Sequence, residues 1–334
     1  MPDIGTTEPP VLRVEDLTVR FRRRDTDVPA VNGASFALRP GETLTILGES
    51  GSGKSVSLKA LMGLLPDYAN ITGKVWLNGK EILGLPAAAL AKLRGGALSM
   101  IFQEPMAALD PVYTIGEQIA ETIIHHDRVD HRTAMKRALD LLEQVKIPSA
   151  ARRLKNYPHE MSGGMRQRAM IALALACSPA VLLADEPTTA LDVTVQIQIL
   201  LLLRQLQQEL GMAIVFVTHD VGAAAEISDR IAVMYAGRFV ESGTAREIIR
   251  TPRHPYTEGL LASTVHGGMR GTKLRTIPGA PPNLAQLPPG CAFAARCRYA
   301  IDACRQGDVP VAISPTGAMA RCVRAVEAVA AVPV

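Results

Sequence analysis

Aromatic side chains are scarce in this sequence, with six Phe, six Tyr and one Trp among 334 residues. The core must therefore be packed by Ala, Leu, Ile and Val, which the hydrophobic content of 48% supplies. Long apolar runs are missing too. The longest, IALALACSPAVLLA, is broken by Ser178 and Pro179 and falls short of the ~20 residues that span a bilayer. The opening MPDIGTTEPP has neither a basic n-region nor an apolar h-region, so it does not read as a signal peptide. These absences imply a soluble, cytosolic chain. No long basic run accompanies the net charge of +4, which argues against an electrostatically driven nucleic-acid binder. No internal repeat is visible. The five cysteines suit ligands or core thiols better than disulfides in such a compartment.

What is present alternates strand and helix. VLRVEDLTVRF, VNGASFAL and ETLTILG read as strands, and KSVSLKALMGLL reads as a helix. GKVWLNGKEI is a strand pair with Asn78-Gly79 at its turn. From Pro105 to about Tyr157 the pattern is helical and more charged. AVLLADEP and AIVFVTHD are buried strands separated by the helix VQIQILLLLRQLQQEL. That alternation predicts a parallel sheet covered on both faces. Beyond a boundary near 250–255, Pro and Gly become dense, which predicts extended, loop-rich structure.

Several stretches carry chemistry. GESGSGKS, residues 48–55, has the spacing of a phosphate-binding loop between a strand and a helix. Gly48, Gly51 and Gly53 let amide groups turn inward around phosphates. Lys54 reaches the β- and γ-phosphates, and the Ser55 hydroxyl suits Mg²⁺. VLLADEP ends a strand in Asp185, placed for the magnesium shell, and Glu186, placed to polarise a water. His219 in VFVTHD and Gln103 in IFQEP also close strands, where ligand crevices open. MSGGMRQR, residues 161–168, is a second anion-binding helix start without a lysine or magnesium ligand. Taken alone, each admits a blander reading: a glycine-rich turn, an acidic pair capping a turn, a structural histidine.

Together, and in this order, the motifs resemble one family, the nucleotide-binding subunits of ABC transporters. The resemblance covers a Walker A loop, the Q-loop FQEP, the signature MSGGMRQR, Walker B, the D-loop TALD and the switch THD. It implies an α/β fold: an ABC-type P-loop NTPase with a mostly parallel sheet, an antiparallel β-subdomain, a helical subdomain and a small C-terminal extension. It implies ATP binding by Phe21 (stacked on adenine), Gly48, Ser50, Gly51, Ser52, Gly53, Lys54, Ser55 and Val56. Magnesium would be held by Ser55, Gln103 and Asp185, with Glu186, His219 and Gln103 catalytic. Ser162, Gly163, Gly164 and Met165 would contact the ATP of a partner ATPase in a head-to-tail dimer, with Asp192 at that interface. Met161 and Met165 depart from the commonest signature, L-S-G-G-Q, and Met165 in S-G-G-M-R-Q-R resembles a peptide-transporter branch.

PRHPYTEGLLAS and IPGAPPNLAQLPPGCAFAARC resemble the extension of dipeptide and oligopeptide permease ATPases, a branch shared with nickel and glutathione importers. The implied domains are an ATPase over 11–250, its helical subdomain at about 106–165, and the extension over 251–334. The implied partners are an F-type second ATPase, two membrane permeases and an extracytoplasmic binding protein, at the cytoplasmic face of the inner membrane. The rival readings are a soluble ABC ATPase acting on DNA or ribosomes, for which coiled coil, zinc hook and second cassette are all missing, and a non-hydrolysing module, which Glu186 disfavours. Cys291, Cys297, Cys304 and Cys322 are spaced C-x5-C-x6-C-x17-C. A structural [4Fe–4S] cluster, which the resembled family carries, is the expectation, with zinc or free thiols as alternatives. Arg296, Arg298 and Arg321 would offset its charge. Cys177 reads as a buried core thiol.

Overall fold

The computed structural model describes residues 9–23, 26–189, 191–264 and 276–325. Residues 1–8, which bear on the signal-peptide question, and Ala190 of the TALD turn lie outside the described residues. The strands are β1 (Leu12–Arg23), β2 (Thr26–Leu38), β3 (Thr43–Leu47), β4 (Ala69–Leu77), β5 (Lys80–Glu81) and β6 (Leu98–Ile101), followed by β7 (Val181–Asp185), β8 (Ala213–Thr218), β9 (Arg230–Tyr235), β10 (Arg238–Thr244), β11 (Val311–Ile313) and β12 (Met319–Arg321).

They form two sheets. One is a four-stranded antiparallel sheet in the order β2-β1-β4-β5. Its β4–β5 turn is the expected Asn78-Gly79, both residues with positive φ (49° and 75°), as a type I′ hairpin requires. The other sheet has eight strands in the order β11-β12-β10-β9-β3-β8-β7-β6. From β9 to β6 it is parallel, and from β9 outward to β11 it is antiparallel.

Every residue of β3, β7 and β8 is buried. Their near-continuous burial, apolar except for Thr43, Thr45 and the strand-end Asp185 and Thr218, follows from cover on both faces, which parallel strands joined by helical crossovers require. On one face lies an apolar layer shared with the antiparallel sheet and the helix Lys54–Leu61, including Val14, Phe36, Leu58 and Val215. On the other, Leu182, Ile214 and Phe216 pack against the helices of residues 115–175 and the helix Val193–Leu210. Ser162, Asp192 and Asp220 cap the helices Gly163–Leu175, Val193–Leu210 and Val221–Ile227. Each side chain satisfies an amide that would otherwise lack a partner, a contribution of about 1 kcal/mol.

The tail is more regular than its Pro and Gly content implies. β11 and β12 extend the main sheet by pairing onto β10. A third apolar cluster joins Tyr235, Val240 and Tyr256 to Phe293, with Ile277 and Leu284 against it. Arg230–Thr244, a hairpin the sequence reading passed over, supplies the strands that receive the tail.

Candidate functional site

The register of the parallel strands assembles the site. Leu47 pairs with Thr218, and Asp185 with Val217. Gly48, Glu186 and His219 therefore leave three neighbouring strands at the same carboxyl edge, where ligands of open α/β sheets bind.

The loop after β3 has the backbone its glycines permit. Gly51 and Gly53 have φ of 77° and 106°. A β-carbon on Gly53 would stand 2.4 Å from the Ala30 carbonyl oxygen, and one on Gly48 would stand 2.3 Å from that of Met234. Only glycine fits at either place. Lys54 is buried, and its ammonium donates to the carbonyl oxygens of Gly48 (2.8 Å) and Glu49 (2.9 Å). Burial lowers its pKa, while Glu186, Asp185 and Glu49 pull it back. An anion with acceptor oxygens would replace those carbonyl contacts with stronger, charge-assisted ones.

Ser55 donates a hydrogen bond of 2.6 Å to Asp185. Asp185 is 3% exposed, and burial raises its pKa against the pull of the Ser55 hydroxyl. A buried carboxylate beside a hydroxyl is a donor set for a hard cation, with the Gln103 amide at the same cleft. Glu186 lies 3.9 Å from the Lys54 ammonium, accepts from Thr189 at 2.9 Å, and stands 3.2 Å from Nδ1 of His219. Its φ of 47° is in the left-handed region that side chains of this size rarely adopt, and its carboxylate lies at the cleft.

All of these groups except Asp185, which reaches it through Ser55, line one cleft of about 880 Å³. Phe21, Ser50, Gly51, Gly53, Lys54, Ser55, Val56, Gln103, Glu186 and His219 all contribute to it. Gly48 and Ser52 shape the loop from beneath; Ser52 is buried and its hydroxyl has no partner. Phe21 is half-buried at the end of β1, with Tyr68 6.0 Å away centre to centre. The tail also lines this cleft, through Leu260, Ser263, Thr276, Ile277 and Leu284, which the sequence reading missed.

Ser162, Gly163, Gly164 and Met165 are not among the residues of that cleft. The Ser162 hydroxyl caps its helix by accepting from the Met165 amide at 3.4 Å. Met161 is buried in the helical-side core, and Met165 packs against it. A β-carbon on Gly164 would press on Val195 at 2.9 Å.

Cys291, Cys297, Cys304 and Cys322 line one small cavity, where the Cys291 amide donates to the Cys304 carbonyl. Burial pushes the Cys291 thiol up to about 11 and raises Cys297 as well. No three His, Cys, Asp or Glu side chains among the described residues form a group that could hold a metal. The expected iron–sulfur cluster therefore has no ready-made ligand set among the described residues, although all four cysteines reach one cavity. Cys177 is half-buried just past its helix, not a fully buried core thiol; burial pushes it to about 11. No described helix is long and apolar enough to cross a membrane.

A family model for ABC transporters matches residues 31–189, and one for the oligopeptide/dipeptide transporter C-terminal region matches residues 240–304. The chain is 50% identical over 317 residues to the oligopeptide transport ATP-binding protein OppD of Salmonella typhimurium, covering 95% of this chain and 94% of that one. It is 49% identical over 317 residues to OppD of Escherichia coli, with the same coverage. Among solved structures it is similar to the ATP-binding cassette MJ0796, a dimer in a post-hydrolysis state bound to ADP and Pi. That match has a TM-score of 0.64 at 30% identity over 70% of this chain and 99% of the other.

Proposed function

The chain belongs to the ABC transporter ATPases, in the branch with the oligopeptide/dipeptide C-terminal region, and from that premise we propose how it works as the ATP-hydrolysing subunit of a peptide importer. The observation that carries the mechanism is the convergence of Lys54, the Ser55–Asp185 pair, Glu186 and His219 on one cleft. ATP lies with its adenine on Phe21 and its phosphates in the loop Gly48–Ser55. Lys54 leaves its backbone acceptors and contacts the β- and γ-phosphates. Ser55, Asp185 and Gln103 would hold Mg²⁺, which would supply positive charge against the phosphate oxygens. Glu186 accepts a proton from the water that attacks the γ-phosphorus in line, as the bond from that phosphorus to the β–γ bridging oxygen breaks and ADP leaves. His219, hydrogen-bonded to Glu186, holds the γ-phosphate and senses its loss.

The signature residues Ser162 to Met165 serve the ATP of a second ATPase subunit, which we read as an F-type partner. Support comes from their separation from this chain's own cleft and from the dimeric form of MJ0796. Residues 11–250 act as the ATPase, with the helical segment at about 106–165 facing two permeases, and residues 251–334 form the extension. The chain works at the cytoplasmic face of the membrane, with an extracytoplasmic binding protein choosing the peptide. Reconstitution with permeases and binding protein tests this. Peptide should stimulate ATP hydrolysis; stimulation by nickel or glutathione but not by peptide overturns the substrate class.

A [4Fe–4S] cluster on Cys291, Cys297, Cys304 and Cys322 is the finer reading of the tail, with a structural role. Its support is the convergence of the four side chains on one cavity; the lack of metal-holding geometry weighs against it. Anaerobically purified protein should be brown, with about four irons per chain. Colourless protein with zinc or no metal discards it.

A further inference from the structure

Glu49, the second residue of the phosphate-binding loop, turns its carboxylate toward the C-terminal extension. Arg296 meets it fork to fork: Nη1 is 2.7 Å from Oε2, and Nη2 is 2.9 Å from Oε1. The arginine is 6% exposed and the glutamate 27%. Two further donors of Arg296 are also used. Nε donates to the Pro278 carbonyl at 2.9 Å, and Nη1 also donates to the Tyr235 hydroxyl at 3.2 Å. Two directional bonds to a charged acceptor fix orientation as well as distance.

The main chain of Glu49 is held as well. Its amide donates to the Tyr256 hydroxyl at 2.9 Å, and its carbonyl accepts from the Lys54 ammonium at 2.9 Å. One residue thus joins the extension, the helix Pro255–Ala262 and the phosphate-binding lysine. The same extension lines the nucleotide cleft through Ile277 and Leu284. It has other anchors of its own: Phe293 in the apolar cluster, β12 on β10, and Thr316 bonded to Glu247 at 2.6 Å. The distinctive consequence of the Arg296 fork is therefore on the loop.

We infer that Arg296 is a positioning residue for the ATP site: through Glu49 the C-terminal extension holds the phosphate-binding loop in its nucleotide-receiving shape. A glycine-rich loop samples many backbone states, and a tether that selects one raises affinity by pre-organisation. The inference rests on reading Gly48–Ser55 as the ATP cradle.

The test measures ATP affinity of the purified chain by displacement of a fluorescent nucleotide, and KM and kcat in the assembled transporter. Glu49→Gln, which changes no residue of the extension, and Arg296→Lys, which keeps charge but loses the fork, should each weaken ATP binding about tenfold. Both should raise KM with kcat within about twofold, the signature of lost ground-state binding. The double variant should be no worse than the worse single, because both remove one interaction. Thr316→Ala, which cuts a tail contact away from the loop, should lower the thermal midpoint and leave KM alone. Unchanged affinity in both single variants, additive losses in the double, or a fall in kcat at constant KM overturns the inference. If Lys54→Ala keeps full ATP affinity, the cradle reading itself fails, and that outcome is independent of Glu49.

Discussion

Lys54 and Glu186 lie 3.9 Å apart at one cleft, yet the roles argued for them differ in kind, and so should their variants. Lys54→Ala loses a charge-assisted phosphate contact, so nucleotide affinity should fall about 10- to 100-fold. Glu186→Gln keeps shape and loses the base, so binding should persist while kcat drops by about 10²–10⁴. A wild-type turnover rate for the Glu186 variant would remove the base assignment. Gly53→Ala should lower both stability and nucleotide binding, since φ of 106° and the Ala30 carbonyl leave a methyl no room. Thermal melts with and without ATP read both effects. The sequence made these residues legible because local spacing alone dictates a phosphate loop, and because carboxylates closing buried strands stand out. It drew Arg296 toward the cysteines and hid its true partner Glu49, 247 positions away, as it hid Tyr256, whose hydroxyl serves a loop residue 207 positions away. Pairing at that range leaves no trace in local pattern.

The helix Pro255–Ala262 starts from His254, whose Nδ1 accepts the Tyr256 amide at 3.0 Å. The ring is 1% exposed, and burial pushes its pKa down from 6.5 to about 4. A histidine kept neutral when folded but free to protonate when unfolded stabilises the fold above its unfolded pKa. That contribution is lost as pH falls from about 6.5 toward 4. Between pH 7.5 and pH 5 this one group should cost about 2 kcal/mol of stability. Urea midpoints of the wild type against His254→Asn, which keeps a capping side chain, should show a shallower acid decline in the variant. Parallel lines would mean another group governs. Elements fared unevenly in the sequence. β7 and β8 were plain because burial on both faces makes each a near-continuous apolar run, and β3 because it leads directly into the phosphate-binding loop. β11 and β12 are three residues each and gain their regularity from pairing onto β10, so their own sequence carries little signal.

On the scale of the whole molecule, the signature helix start and the nucleotide cleft are separate features of one chain. Hydrolysis by the isolated chain should therefore be slow and fall with dilution, and the cognate second ATPase with permeases should restore it. Full specific activity in a dilute monomer would contradict a shared site. The main sheet carries one more consequence. β10 is paired on its outer side by β12, and Phe293 covers Tyr235 and Tyr256 at centroid distances of 5.3 and 5.4 Å. A chain shortened near residue 250, at the apparent boundary in the sequence, would expose the backbone donors and acceptors of a strand with five buried residues. Unpaired edges of this kind template intermolecular strand addition. Such a fragment should aggregate on purification, visible as light scattering and early elution from a sizing column.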